Sequence, residues 1–180
     1  NVLEHSESKQ GAIVSAQYYK KSNTIRIGIV DNGVGIKKTI NNAYPTSTHL
    51  EAIRLALMPG ITGTTRMIGG TEYNAGAGLF FIKSIAQVNR EFFIIYSGDA
   101  MYKLLKSKPD LKQITLHGDP FKDRHSKKEK YPAWQGTVVG IDISLDKTTE
   151  FSSLLDLIRE TYIKTIKERK KEKYRLPRFT

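Results

Sequence analysis

The sequence predicts an α+β fold, a two-layer α/β sandwich. Runs rich in β-branched and aromatic residues cluster in 11–30 and again in 91–145, rather than alternating strictly with helices. Helical periodicity is confined to the stretch between these clusters and to a segment near the C-terminus. The length, 180 residues and 20.3 kDa, suits a single hydrophobic core.

Taken in order, GAIVSAQYY (11–19) and TIRIGIV (24–30) read as strands joined by the polar turn KKSN, an antiparallel hairpin. VDNGVGI ends the second strand and opens a short helix over 37–42. Residues 48–58 carry Leu50, Ile53 and Leu57, with Leu55 and Met58 beside them, at helical spacing, and Pro59-Gly60 stops that helix. The stretch ITGTTRMIGGTEYN lacks periodicity and reads as a mobile loop. An apolar helix resumes at AGAGLFFIKSIAQV. Strands are expected over 91–97, 100–105, 112–117 and 135–145, and a helix from about 148 to Pro177. No internal repeat is visible. The expected division is 1–147 for the main domain and 148–180 for a basic helix and tail.

Composition narrows the classes. The longest apolar runs fall well short of the ~20 residues that cross a bilayer. The first residues, NVLEHSESKQ, are polar and lack a signal-peptide core. With no cysteine, a disulfide scaffold and a thiolate metal site are excluded, and a cytoplasmic location is the plain expectation. The net charge is +11 and the pI about 9.7, so an anionic partner is expected. Residues 122–130 (KDRHSKKEK) form one basic loop, read as an exposed insertion, and 159–178 hold nine Lys/Arg against three Glu. Such a tail suits nucleic acid, an acidic protein or anionic lipid. A solvated helix face is the competing reading. His49, His117 and His125 show no metal spacing and read as structural or surface residues.

Two glycine clusters carry the chemistry. Neither is a Walker A loop, since GITGTT lacks the Gly-Lys-Ser/Thr ending. Nor is AGAGLFF a dinucleotide fingerprint, because position 81 is Phe. Gly76-Ala77-Gly78 at a helix start would allow close approach of a ligand, and the unpaired N–H groups of a first turn attract phosphate. Asp31 ends a strand beside Gly33 and Gly35. Two readings of it stand side by side: a carboxylate that accepts an exocyclic amine such as adenine's, or an Asx turn leaving the strand.

The order of three motifs decides more than any one of them. NVLEHS at 1–6, DNGVGI at 31–36 and NAGAGLFFIKSIA at 74–86 follow one another, with a loop of lid length between the last two. In this the chain resembles the gyrase, heat-shock chaperone, histidine-kinase and mismatch-repair (GHKL) ATPase superfamily, with GTVVGIDISL similar to its late strand. The resemblance covers nearly the whole chain. It implies the Bergerat ATP-binding fold, a mostly antiparallel sheet covered by helices on one face, with ATP and Mg²⁺ as cofactors. It further implies that Asn1 holds Mg²⁺ against the phosphates and that Asp31 accepts the adenine amine. Gly33 and Gly35 would shape the adenine pocket, with Ile36 packed on the base. The backbone of Gly76, Ala77, Gly78 and Leu79 would cradle the phosphates under a lid formed from about 38 to 75. Thr137 would support the Asp31 end through its hydroxyl. His5 either faces the phosphates or packs on polar neighbours at a helix end.

Two departures bear on activity. In hydrolysing members a glutamate base stands four residues before the asparagine, a position that precedes Asn1, so the expectation is a fragment lacking its first helix. Glu4 is not at that position. The second glycine box reads Gly-Ala-Gly-Leu-Phe-Phe rather than the Gly-Leu-Gly-Leu commoner in kinases, which suggests a diverged branch rather than a standard sensor kinase, while NVLEHS resembles the first motif of stand-alone bacterial regulators such as anti-sigma-type kinases. Three functions are therefore expected in competition. One is an Mg-ATP-binding domain that hydrolyses ATP or phosphorylates a protein partner. Another is an ATP-gated switch with little or no chemistry. The last is a nucleic-acid binder working through the basic tail. A homodimer is compatible with each.

Overall fold

The computed structural model describes residues 6–71, 75–106, 115–145 and 151–173. Among these residues six strands form one sheet: β1 (Ala12–Tyr19), β2 (Thr24–Asp31), β3 (Phe93–Gly98), β4 (Ala100–Leu104), β5 (His125–Lys128) and β6 (Trp134–Ser144). Their order is β1-β2-β6-β3-β4-β5, and every neighbouring pair is antiparallel. Four α-helices are described: α1 (Gly35–Asn41), α2 (His49–Ala56), α3 (Gly78–Val88) and α4 (Phe151–Lys173). The expected α+β two-layer sandwich is what forms.

The layering follows from the period-two pattern of the strands. Ile27, Val139, Ile141, Phe93, Ile95 and Tyr102 share one face of the sheet, and α1, α2 and α3 cover it with Ile36, Ile40, Leu50, Ile53 and Ala86. The opposite face carries charge: Arg26 reaches across β2–β6 to both carboxylate oxygens of Asp142, at 2.7 and 2.9 Å. Around that ion pair the face also carries apolar residues, among them the exposed Ile13, while α1, α2 and α3 all pack on the other side. α2 begins where Thr48 Oγ1 accepts the Glu51 N–H at 3.1 Å, while the Glu51 carboxylate accepts the Ser47 N–H at 2.8 Å.

The hairpin, the three central helical expectations and β6 form close to where the pattern puts them. Three differences stand out. The basic loop 122–130 is not a free insertion, because His125–Lys128 pairs with β4 as an edge strand. Of the strand expected over 112–117, residues 115–117 are irregular and the rest lies outside the described residues. α1 starts two residues earlier than expected, at Gly35. Among the described residues no helix is long and apolar enough to cross a membrane.

A second, smaller core sits beneath α4. Leu154 and Ile158 pack there on Phe80 and Leu116, with Tyr162 beside Phe80 at a ring separation of 6.3 Å. α4 therefore returns along α3 after β6, instead of continuing away from the sheet.

Candidate functional site

The end of β2 is where the site begins. Ile29 and Asp31 are two residues apart, so both face the helical layer, and both line a cavity between α1, α3 and the sheet. Asp31 is buried, and its Oδ1 accepts the Gly33 N–H at 2.9 Å. The Asx turn is thus real, and it coexists with a place in the cavity wall. Three further contacts fix this corner. The Trp134 indole N–H donates to the Asp31 carbonyl at 3.1 Å. Ser97 Oγ accepts the Ile36 N–H at 3.0 Å and donates to the Gly136 carbonyl at 2.7 Å. Gly136, at φ +111°, passes so close that a Cβ there would lie 2.1 Å from the Asp31 carbonyl oxygen.

Gly35 also needs to be glycine. It opens α1 at φ +76°, and a Cβ would meet Ser97 Oγ at 3.1 Å. The residue after it, Ile36, is buried against the cavity. Thr137 is the register partner of Asp31 across β2–β6 and lines the same cavity.

The facing wall is the glycine-rich entry to α3. Gly76, Ala77, Gly78 and Leu79 all line the cavity. Gly76 sits at φ +63°, with its carbonyl accepting the Gly60 N–H at 3.0 Å. α3 opens without a side-chain cap, so its first-turn N–H groups have no intrahelical acceptors and no capping side chain. An uncapped helix start of this kind carries partial positive charge and suits an anion. From the loop, Ile61, Thr62 and Gly63 close the edge; a Cβ on Gly63 would strike the Thr39 carbonyl oxygen at 2.1 Å.

Eight of the residues singled out from sequence therefore meet in one cavity: Asp31, Gly35, Ile36, Gly76, Ala77, Gly78, Leu79 and Thr137. Gly33 does not line it. It packs instead on Ser6, whose carbonyl oxygen would lie 2.0 Å from a Cβ at this position and which accepts the Val34 N–H at 2.7 Å. Asn1 and His5 lie outside the described residues. Of the stretch 38–75 expected as a lid, α2 packs into the core, and Thr39, Ile40, Ala56 and the loop residues 61–63 reach the cavity.

Ile82 and Val139 were not singled out, although periodicity could have found them. Ile82 is one turn after Leu79 in α3, and Val139 is two residues after Thr137 in β6. Thr62 and Gly63 carry no such signal.

Charge in the cavity is sparse. Among its described lining residues Asp31 is the one charged side chain, and the walls are mostly apolar. Lys83, one turn into α3, does not serve it. Its ammonium is buried among Asp123, Gln87 and the His117 carbonyl, and burial pushes its pKa down. No group of three acidic or histidine residues able to hold a metal is found among the described residues. His49 pairs with Asp99 at 2.7 Å, and His125 stacks with Tyr102 and Phe121, in keeping with structural roles.

An apolar slot with one buried carboxylate at one end and an uncapped helix start at the other suits a flat polar base linked to an anion. No family model matches the chain, and no curated protein matches it.

Proposed function

We propose that this chain is an Mg-ATP-binding domain of the histidine-kinase-like GHKL type, acting in the cytoplasm as an ATP-dependent regulator or kinase of a protein partner. The observation that carries the reading is the convergence of two glycine motifs, far apart in sequence, on one cavity with Asp31 in its wall. In this reading the Asp31 carboxylate accepts the adenine amine, which guanine lacks at that position. Ile36, Ile82 and Val139 supply apolar contact for the base. The N–H groups at the start of α3 take the phosphates.

The residues present fit adenine and phosphate. Asn1 would hold Mg²⁺ through its amide oxygen, and the ion would neutralise the phosphates; no cationic side chain lines the described cavity to do so in its place. Asp31, tied to the Gly33 N–H, is the cavity's one described carboxylate, so it is committed to the base end. Nucleic-acid binding rests on the exposed Lys164, Lys167, Lys170 and Lys171 of α4 and is subordinate to this reading.

Trp134 is the chain's single tryptophan and holds the Asp31 carbonyl, so it reports on this corner directly. Titration with ATP is expected to change its fluorescence saturably, and GTP is expected to leave it unchanged. Absence of any saturable response, together with an unshifted melting temperature at millimolar ATP, would remove the proposal.

A further inference from the structure

We propose that α4 is a strap that holds the cavity's loop edge closed, so that its docking sets how fast nucleotide leaves. The consequence for nucleotide rests on the site reading above; the docking itself does not. Tyr162, Ile166, Arg169 and Lys173 lie at helical spacing on one side of α4. Each meets backbone of the loop 59–69 or of Ala75, the segments that run into the cavity's lining. The Tyr162 hydroxyl donates to the Ala75 carbonyl at 2.7 Å, Arg169 Nη1 to the Pro59 carbonyl at 3.0 Å, and Lys173 Nζ to the Arg66 carbonyl at 3.3 Å. The Ile166 Cδ1 methyl lies against the Cα face of both Gly60 and Gly69: a Cβ would meet it at 2.9 Å on the first and 3.7 Å on the second.

These targets are not scattered. Pro59 and Gly60 lead into Ile61, Thr62 and Gly63 of the loop wall, whereas Ala75 leads into the Gly76 cradle. The two segments are joined by the Gly60 N–H to the Gly76 carbonyl, and the Gly69 N–H donates back to the Gly60 carbonyl. α4 thus sits over the bond that ties the loop to the phosphate-side wall and contacts both partners' segments. Widening the cavity along this edge requires either breaking the Gly60–Gly76 link or carrying α4 with it. The N-terminal half of α4 is fixed in its own apolar cluster through Leu154 and Ile158. Its C-terminal half is held by three hydrogen bonds to carbonyls and one apolar contact, Ile166 on Gly60 and Gly69, each weak enough to be reversible. That division suits a strap anchored at one end and releasable at the other.

The test uses the full chain and two variants. Tyr162→Phe removes one hydroxyl and cannot disturb packing; Ile166→Ser removes the apolar contact with Gly60 and Gly69. Hydrogen exchange is measured first, without nucleotide. Amides of residues 60–70 are expected to exchange on the order of tenfold faster in Ile166→Ser and several-fold faster in Tyr162→Phe, with β2 and β6 unchanged. Unchanged loop exchange in both variants overturns the strap. The dissociation rate of a fluorescent ATP analogue is then expected to rise by a similar factor. Faster loop exchange with an unaltered dissociation rate overturns the gating role. If the unmodified chain binds no ATP analogue, the nucleotide reading fails and gating with it, while loop exchange still decides whether α4 holds the loop.

Discussion

Replacing Asp31 with asparagine separates the two jobs the structure gives this residue. Asp31 Oδ1 accepts the Gly33 N–H at 2.9 Å, and an asparagine can keep that bond with its own amide oxygen. The turn into α1 therefore survives, supported also by Ser97, which bonds Ile36 N–H and the Gly136 carbonyl. What changes is the second carboxylate oxygen, an acceptor that becomes an NH₂ donor. Toward an exocyclic amine this replaces an attraction with two facing donors. Loss of a buried hydrogen bond to a charged acceptor costs about 1–3 kcal/mol, which is roughly 5- to 150-fold in affinity. The assay is equilibrium titration with ATP, followed at Trp134 and checked against the melting temperature without ligand. The expected result is a weakened affinity within that range, little change in unliganded stability, and a smaller preference for ATP over GTP. Asp31→Ala, which loses the turn bond as well, is expected to lower both affinity and stability. Unchanged ATP affinity in Asp31→Asn would refute the reasoning, because the carboxylate could not then be the base acceptor.

Three further outcomes are expected. Lys83 and Asp123 are both fully buried and paired, so Lys83→Met or Asp123→Asn alone should cost about 3–5 kcal/mol in denaturant unfolding, and Lys83→Met with Asp123→Leu much less than the sum. Additive losses would show that the pair is not coupled. Burial pushes the Asp119 carboxyl up, but hydrogen bonds from Arg54 and the Phe121 N–H outweigh it and hold the group below its ordinary range. Its folded pKa being depressed, its contribution is present above the unfolded value of about 3.9 and is lost as pH falls through the folded one. The melting-temperature gap between the unmodified chain and Asp119→Asn should thus be widest above about pH 5 and close in more strongly acid solution; a gap that grows on acidification contradicts this. Gly76→Ala places a Cβ 2.4 Å from the Ile61 carbonyl oxygen at φ +63°, so it should cost about 1–3 kcal/mol of stability and weaken ATP binding. A variant as stable as the parent would show that the Gly76 turn is not under this constraint.

How much of this was legible in the sequence varies with the physical signal each part carries. TIRIGIV and GTVVGIDISL announce β2 and β6 because an inward apolar face repeats every second residue. DNGVGI announces the corner of the cavity because a carboxylate, a turn and a strained glycine must coincide there. β5 left no such mark. HSKK contains no apolar residue, and it is a strand because Leu104 and Met101 of β4 pair with His125 and Lys128, with the His125 ring laid on Tyr102 and Phe121. Gly33 misled in a different way. A glycine beside the acid reads as room for a ligand, but the room is taken by the Ser6 backbone. The docking face of α4 was equally hidden, since Tyr162, Arg169 and Lys173 bind carbonyls and form no apolar stripe. Side chains that recognise backbone leave no complementary pattern in the segment they recognise. The asparagine and histidine assigned to the first motif, Asn1 and His5, fall outside the described residues.

The cavity between Asp31 and the start of α3 is proposed to take an adenine nucleotide. Calorimetric titration of the chain with a non-hydrolysable ATP analogue, with and without Mg²⁺ and against the matching GTP analogue, tests it most directly. The expected result is one site per chain, selective for adenine and strengthened by Mg²⁺. Equal binding of both analogues, or no heat of binding to either one at millimolar concentration, would contradict it.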